Sequence, residues 1–559
     1  MLIAVAAAAL LALVIFLVQR YTPTKEHMPL TEFYILSEEN EAAVIVNGAY
    51  QEKTEEDSAA RALILDGHAY LEISFLKQHL DNGYVFDSTE NILRYITAQN
   101  VISVSMGSPD YMVDRTREQM DHNIMMAQGG RTFVALDFIQ KYTDLSYVTV
   151  ADPNRIVIET AGYEKTTAAL RKDAQLRRYG GVKSKILKDA KKGDEVSVLE
   201  DYGSWSLVLS ADGVLGCVQN NRLGSQKQVT VEATLPQQEF RHLLLDKDIV
   251  LGWHQVTSSA ANSSITDVLS KARGMNVISP TWFYLNNNSG GIADLGSSSY
   301  VETCHQQGVQ VWGLVSNLEN REVDTTKVLN TTSSRDNLVN NLIAAAITYN
   351  LDGINVDIEE LSSSAADGYI AFIKELSLKC EKNDIILSVD NYVPSSFTKF
   401  YNRSVQADYA DYVVVMAYDE HYSGGEEAGS VASIGFVKDA VEATLKEVPK
   451  EQIIMGMPLY SRVWSSDGQS LSSKAMGISA VANYIKDHNV TMTWSEEVGQ
   501  NYGEFTEGGV TYQIWQEDAA SIEEKLKVLT GNQLAGGAFW KLGFDNDSIW
   551  NVTAKYLNP

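Results

Sequence analysis

Between residues 246 and 559 short apolar runs alternate with longer stretches of helical periodicity: IVLGWHQV, NVISPTWFYL, VQVWGLV, GINVDIE, IILSVD, YVVVMAY, IIMGMPLY and GGAFWKL. A strand with one wet face would alternate polar and apolar residues; these runs are apolar on both faces, as strands covered on both sides must be. Eight such units predict a closed (β/α)8 barrel, a TIM barrel. The interval from Ser461 to Gln516, before the eighth run, is too long for a connecting loop and predicts a small insertion between strands 7 and 8.

Upstream the pattern differs. Two windows match without a gap, HAYLEISFLKQHLDNGYVFDSTENILRYIT from His68 and RTFVALDFIQKYTDLSYVTVADPNRIVIET from Arg131, with Phe75/Phe138, Asp81/Asp144, Tyr84/Tyr147, Val85/Val148 and Asn91/Asn154 identical at one offset. Each reads as an extended segment, a short amphipathic helix, a strand, a turn and another strand, so residues 40–160 form a duplicated small α/β module. Residues 163–225 carry short strand-like runs between Gly and Asp turns and predict a small β-barrel. A polar linker, 226–245, leads into the C-terminal domain at 246–559. At the start, Leu2 to Val18 is apolar without interruption, about 17 residues or roughly 26 Å as a helix, and residues 1–20 are expected to be a membrane anchor or signal segment.

Composition narrows the choice of partners. Forty-five Lys and Arg against 72 Asp and Glu give 45 − 72 = −27, a charge that repels phosphate backbones, so no nucleic acid is expected. Against that balance, the run from Arg171 to Lys192 holds nine basic residues and two Asp, a candidate surface for an anionic wall polymer. Cys217, Cys304 and Cys380 are far apart and form no C-x-x-C pair, so buried thiols are expected rather than a disulfide framework or a zinc site.

The chemistry concentrates at the C-terminal ends of the eight runs, where barrels build their sites. Trp253, Tyr284, Glu359, Asp390, Tyr418, Tyr460 and Trp540 fall at or near that rim. On the fourth run, period two puts Gly353, Asn355, Asp357 and Glu359 on one face, so two carboxylates point the same way into the barrel mouth. Two close buried acids disfavour each other's ionisation and drive one to hold a proton at neutral pH, which suits a general acid. The flanking Ile354, Val356 and Ile358 mark a buried strand, where idle carboxylates are costly.

D-G-I-N-V-D-I-E, Asp352 to Glu359, resembles the D-x-x-D-x-D-x-E signature of family 18 glycoside hydrolases, the chitinase family, with Asn355 where the signature has an acid. Met416 to Asp419 (M-A-Y-D) is similar to that family's sixth-strand motif and Trp540 to its eighth-strand tryptophan. SPTWFYLN, YDEHY and WKLGFDNDSIW resemble its spore-cortex and peptidoglycan N-acetylglucosaminidase branch. The resemblance implies retaining, substrate-assisted hydrolysis, in which the sugar's 2-acetamido oxygen is the nucleophile and no cofactor or metal is needed. It further implies Glu359 as acid and base, Asp357 as orienter of the acetamido group, and Tyr418 as its hydrogen-bond partner. Trp540 would form the sugar floor, with Asp419, Met416, Asn355, Asp352, Trp253 and Tyr284 as further substrate-binding residues. Asp419 has two available partners, sugar hydroxyls or Arg462. Asn355, as an amide, is expected to donate a hydrogen bond to Asp357 and so to favour its anion.

The duplicated module resembles the repeat of the copper amine oxidase N-terminal domain; no His cluster is evident in it, so no metal is carried over. KKGDEVSVLEDYGSWSLVLSADGVLGCVQNNRLG resembles bacterial SH3-like domains. With the apolar segment at 1–20 as a membrane anchor, these resemblances imply a single-pass protein of the cell membrane whose catalytic domain lies outside, toward a cell wall or spore envelope. Its partner would be a polysaccharide, peptidoglycan before chitin. A different class, a catalytically silent glycan-binding or scaffold protein on the same barrel, would require loss of the acid, and Glu359 is present.

Overall fold

The computed structural model describes residues 2–54 and 59–558, except for the side chains of residues 2–6 and 8. The chain forms two compact units, one of residues 1–86, 91–95 and 102–238, the other of 87–90, 96–101 and 239–559.

In the first unit Leu2–Tyr21 is helical. Among the described residues no helix is long and apolar enough to cross a membrane. The duplication is visible as a four-stranded sheet in the order Met125–Gln128, Arg131–Ala135, His68–Glu72, Ala62–Leu65. Its two inner strands open the two matching windows, and they pair antiparallel with Leu71 opposite its own counterpart Val134. Each is joined to its outer strand by a two-residue turn, Asp66-Gly67 (φ +52° and +88°) or Gly129-Gly130 (φ +57° and +74°). Positive φ at both positions is the twist a tight hairpin needs, and Asp and Gly tolerate it. The repeat therefore begins one strand earlier than the sequence match. After each inner strand comes a helix, Ile73–His79 or Leu136–Ile139, whose Phe75 and Phe138 enter the shared core.

Residues 164–230 form a seven-stranded sheet around Leu176, Leu187, Val196, Val208 and Val218. Much of its basic run is internally paired: Lys185 with Glu26, Lys188 with Asp212 and Lys191 with Asp173, while Arg177 is buried and donates to the carbonyls of Ser184 and Thr24.

The second unit is built on eight parallel strands: β1 (Ile249–His254), β2 (Val277–Pro280), β3 (Gln310–Ser316), β4 (Gly353–Asp357), β5 (Ile386–Tyr392), β6 (Tyr412–Met416), β7 (Ile453–Pro458) and β8 (Gly536–Trp540). Each pairs with the next and β8 with β1, which closes the barrel. Period two sorts the side chains. Ile249, Leu251, Trp253, Tyr412 and Val414 fill the interior, while Val250, Val413 and Val415 pack with the helices outside. The apolar runs lack polar alternation because both faces are buried. Between β7 and β8, Tyr460–Ser466, Leu471–Gly477, Thr493–Ser495, Gln500–Glu507 and Val510–Gln516 form an antiparallel sheet with the helix Ile478–Asp487, the insertion expected from chain length. All three cysteines are buried free thiols.

Candidate active site

Strand β4 sends Ile354 and Val356, and the residue after it Ile358, outward into the helical layer, so Asn355 and Asp357 point into the barrel. They occupy two different levels. At the deeper one Asn355 is fully buried and uses its whole amide. Its Oδ1 accepts from Trp253 Nε1 and Ser279 Oγ, both at 3.0 Å, and its Nδ2 donates to Ser388 Oγ at 3.0 Å and Asp390 Oδ1 at 2.7 Å.

This corrects the expectation that Asn355 serves Asp357. Neighbouring strands are in register at the deeper level, with Asn355 beside Ser388, so the amide meets β5 rather than the residue two positions up its own strand. Asp357 is the last residue of β4, beside Ser316 of β3, and its Oδ1 is buried without a hydrogen-bond partner. Burial pushes its carboxyl well above the usual range, and the charges that bear on it, those of Asp390, Glu359 and Glu319, are all acidic and push the same way. Asp390 is likewise driven up, to about 8, by burial and by Glu359, against the lowering effect of the Asn355 amide.

Glu359 lies past the strand end, where a reciprocal clamp fixes its backbone. Asn317 Nδ2 donates to the Glu359 carbonyl and Asn317 Oδ1 accepts the Glu359 N–H, both at 2.9 Å. Burial raises the Glu359 carboxyl, opposed by a hydrogen bond from the Tyr392 hydroxyl. The same hydroxyl accepts the Glu360 N–H at 3.2 Å. Glu360 turns away at φ +54° and pairs with Arg321 at 2.6 Å, which lowers its carboxyl. Adjacent glutamates thus differ in kind: one is held protonatable inside, the other ionised outside.

Around these acids stand Met416, at the end of β6, and Tyr418, whose hydroxyl is pushed well up by burial and by nearby Tyr460, Asp357, Asp390 and Glu359. Asp419, at φ +57°, accepts from Tyr460 Oη at 2.6 Å and from Arg462 at 3.4 Å. Both partners come from the first strand of the insertion, and Arg462 Nε is buried with no partner. Trp540 ends β8 with part of its surface open. Tyr284, in the short strand Phe283–Leu285, sits beside Ser316 at the end of β3.

Three expected substrate-binding residues cannot meet a substrate: Asn355, fully buried with its amide spent, and two more, Asp352 and Trp253. Asp352 precedes β4 at the opposite end of the barrel, about 16 Å of strand from Asp357 at roughly 3.3 Å per residue. There it accepts from His305 Nε2 at 2.8 Å and the Val311 N–H at 2.7 Å, a structural role. Trp253 is 1% exposed and packs edge-on beneath Trp540, centroids 6.1 Å apart, with its indole N–H spent on Asn355. It supports the floor and cannot form it.

Tyr392, Asn317 and Glu319 were missing from the expected site, and Asp390, expected at the rim, had been given no role there. Tyr392 follows Asp390 at period two on the β5 run, and Asn317 and Glu319 follow the β3 run directly; that position at the ends of predicted strands was the available signal.

Residues 303–545 match the profile of glycosyl hydrolases family 18, and residues 46–163 that of the copper amine oxidase N-terminal domain. The cortical fragment-lytic enzyme of Bacillus subtilis (strain 168) is 25% identical over 264 residues, covering 45% of this chain and 61% of that protein. The cortical fragment-lytic enzyme of Bacillus anthracis is 22% identical over 250 residues, 43% of this chain and 58% of its own length. The class V chitinase CHIT5 of Lotus japonicus is 22% identical over 258 residues, 40% and 64% respectively. The matched part thus spans about three fifths of each of these relatives. Among solved structures, the Bacillus cereus spore cortex-lytic enzyme SleL superposes with a TM-score of 0.51 at 19% identity, over 59% of this chain and 77% of that one. A chitinase from Chromobacterium violaceum gives 0.50 at 18%, over 55% and 98%. These last two are likenesses of fold.

Proposed function

Residues 303–545 are a family 18 glycosyl hydrolase domain, and from that premise we propose that the chain hydrolyses β-linked, N-acetylglucosamine-containing glycan with retention, through the substrate's own acetamido group. The observation that carries this reading is the orphaned Oδ1 of Asp357, which the charges of three other acids bear upon. A buried carboxyl with an open lone pair suits a positively polarised partner, and an acetamido N–H that becomes part of a cationic oxazolinium ring provides one, with a charge that favours the ionised acid as it develops.

The roles follow from position. Glu359, held protonatable by burial, gives its proton to the leaving glycosidic oxygen and then takes one from water. Asp357 orients the acetamido N–H and faces the charge as the ring closes. Tyr418, kept a neutral phenol by burial, donates to the acetamido oxygen. Trp540 carries the apolar face of the sugar. With the substrate's acetamido oxygen as nucleophile, retention needs none from the enzyme, so the second carboxylate acts by charge and orientation.

Peptidoglycan is the substrate we favour and chitin the second. The names of the Bacillus relatives speak for the wall, as do the apolar run at Leu2–Val18 and the SH3-like strand pattern at 163–225. On this reading the run tethers the chain to a membrane with the barrel outside, and the basic residues of 171–192 that are not internally paired face an anionic wall polymer. Digestion of purified peptidoglycan and chitin oligomers side by side, with mass spectrometry of the new reducing ends, tests the assignment. N-acetylglucosamine reducing ends from peptidoglycan are expected. Products from chitin alone overturn the wall reading, and saturable glycan binding with no products from either overturns hydrolysis. Loss of turnover on removing the acetyl group at the cleaved sugar is the corresponding test of mechanism.

A further inference from the structure

In the duplicated module His68, His122 and Asp137 come together, with one ligand-type atom from each within 4.8 Å of the others. The three arrive from separate places: the first residue of an inner strand, the segment between the repeats, and the helix of the second repeat. No spacing motif announces them.

The ring of His122 is the informative group. Its Nδ1 is hydrogen-bonded to Asp121 Oδ1 at 2.7 Å, which fixes the ring and turns Nε2 toward Asp137. That Nε2 is buried, in a side chain only 9% exposed, and has no hydrogen-bond partner. It nevertheless sits 3.2 Å from Asp137 Oδ1, outside hydrogen-bonding alignment. The Nε2 edge of the ring and the Asp137 carboxylate thus face each other at close range without an aligned hydrogen bond. Asp137 Oδ1 also accepts the Phe138 N–H at 2.9 Å, and Asp137 Oδ2 lies 4.0 Å from His68 Nδ1. The rings of His68 and His122 stack at 3.7 Å. Tyr70 pins the segment by donating its hydroxyl to the Asn123 carbonyl at 2.9 Å.

We propose that His68, His122 and Asp137 bind one first-row divalent transition-metal ion, which ties the two halves of the duplicated module together. Atoms bonded to one zinc ion at about 2.0–2.2 Å stand roughly 3–4 Å apart, so the His122–Asp137 separation already fits, and turning the His68 ring out of its stack on His122 brings the third donor to the same ion. Two imidazoles and a carboxylate suit Zn²⁺, Ni²⁺, Co²⁺ or Cu²⁺ and leave positions open for water. Asp121 supplies the outer carboxylate that orients a ligating imidazole and raises its basicity. The module contains its own counter-example. At the 63-residue offset that relates the repeats, the positions of His122, His68 and Asp137 are filled by Ala59, Arg131 and Ser74, so the symmetry-related place has no such donor set.

The test is Zn²⁺ titration of the chelator-stripped full chain, without a histidine tag, by calorimetry and dialysis. One ion per chain is expected, with affinity weakened at least tenfold by His122→Ala or Asp137→Asn and about 10- to 100-fold by Asp121→Asn; His79→Gln should bind as the native chain does. Asp121→Asn and Asp137→Asn preserve size and shape, so they answer the question even if His122→Ala fails to fold. With Cu²⁺ as probe, electron paramagnetic resonance should show two coordinated nitrogens, reduced to one in His68→Ala. Binding well below one ion per chain, or equal affinity in the native and Asp137→Asn chains, overturns the proposal.

Discussion

Two buried carboxylates in the barrel unit meet the same desolvation and have opposite surroundings. Glu517 is fully buried and is held by Lys525 Nζ at 2.9 and 3.1 Å, with Gln500 and Ser521 donating as well. Asp357 has Asp390, Glu359 and Glu319 for neighbours and a bare Oδ1. The first arrangement joins the insertion to the helix Ala519–Gly531; every lone pair in it is used. The second is left incomplete, and what would complete it has to come from outside the chain. Burial alone therefore does not mark a functional acid. The sign and number of the groups around it do.

The largest effect that could break this comparison lies at Glu359. Glu359→Gln should lower kcat about 10²- to 10⁴-fold while glycan affinity stays near native, because general acid and base catalysis contributes about that much. Glu360→Gln, which removes only the exposed partner of Arg321, should stay within a few fold. The reverse pattern would put the acid on the wrong residue.

Next are two stability changes of opposite sign. Lys525→Met leaves Glu517 as an uncompensated buried charge and should cost about 3–5 kcal/mol in denaturant unfolding of the barrel. Asp357→Asn removes an acid from among acids and should unfold no more easily than the native chain while losing turnover. Equal destabilisation by both would erase the distinction.

The third effect depends on pH. Asp390 holds its proton to about 8 in the folded chain, while an unfolded aspartate loses it near pH 4. Between those values the native state binds more protons than the unfolded state, so stability falls as pH rises across the window. Asp390→Asn should flatten that decline in thermal melts taken from pH 5 to 8; an unchanged slope would show that Asp390 titrates normally. The smallest effect belongs to Tyr392. Tyr392→Phe deletes the hydrogen bond that favours ionised Glu359, so the alkaline limb of kcat should move upward by less than about one pH unit. A downward shift would contradict the assigned direction.

How much of this was legible in the sequence depends on how far apart the cooperating residues lie along the chain. The eight strands, the insertion and the shared face of Asn355 and Asp357 follow from periodicity within single runs. The duplication was readable, but its first strand escaped because Ala62–Leu65 and Met125–Gln128 match in conformation more than in residue type. Asp352 was misplaced because the resemblance groups it with Asp357 and Glu359 in one signature, although a strand carries its ends to opposite mouths of the barrel. Trp253 was expected to bind substrate because its run ends at the rim, but it is buried with its N–H committed to Asn355. Asp390 reaches the site across a strand boundary, and Asn317 through a loop; no single run contains either relation.

The pairing of Leu71 with Val134 has a consequence for how such a module could be divided or multiplied. Each inner strand covers the edge of the other, so the repeat count has a parity. Two copies close on themselves, whereas one copy, or three, leaves an uncovered row of backbone donors and acceptors. A single repeat released from this chain would find that row matched by the same row on another molecule, turned by half a revolution, and would assemble as a two-fold dimer rebuilding between chains the sheet now made within one. Joining the two copies on one polypeptide makes that association intramolecular and independent of concentration.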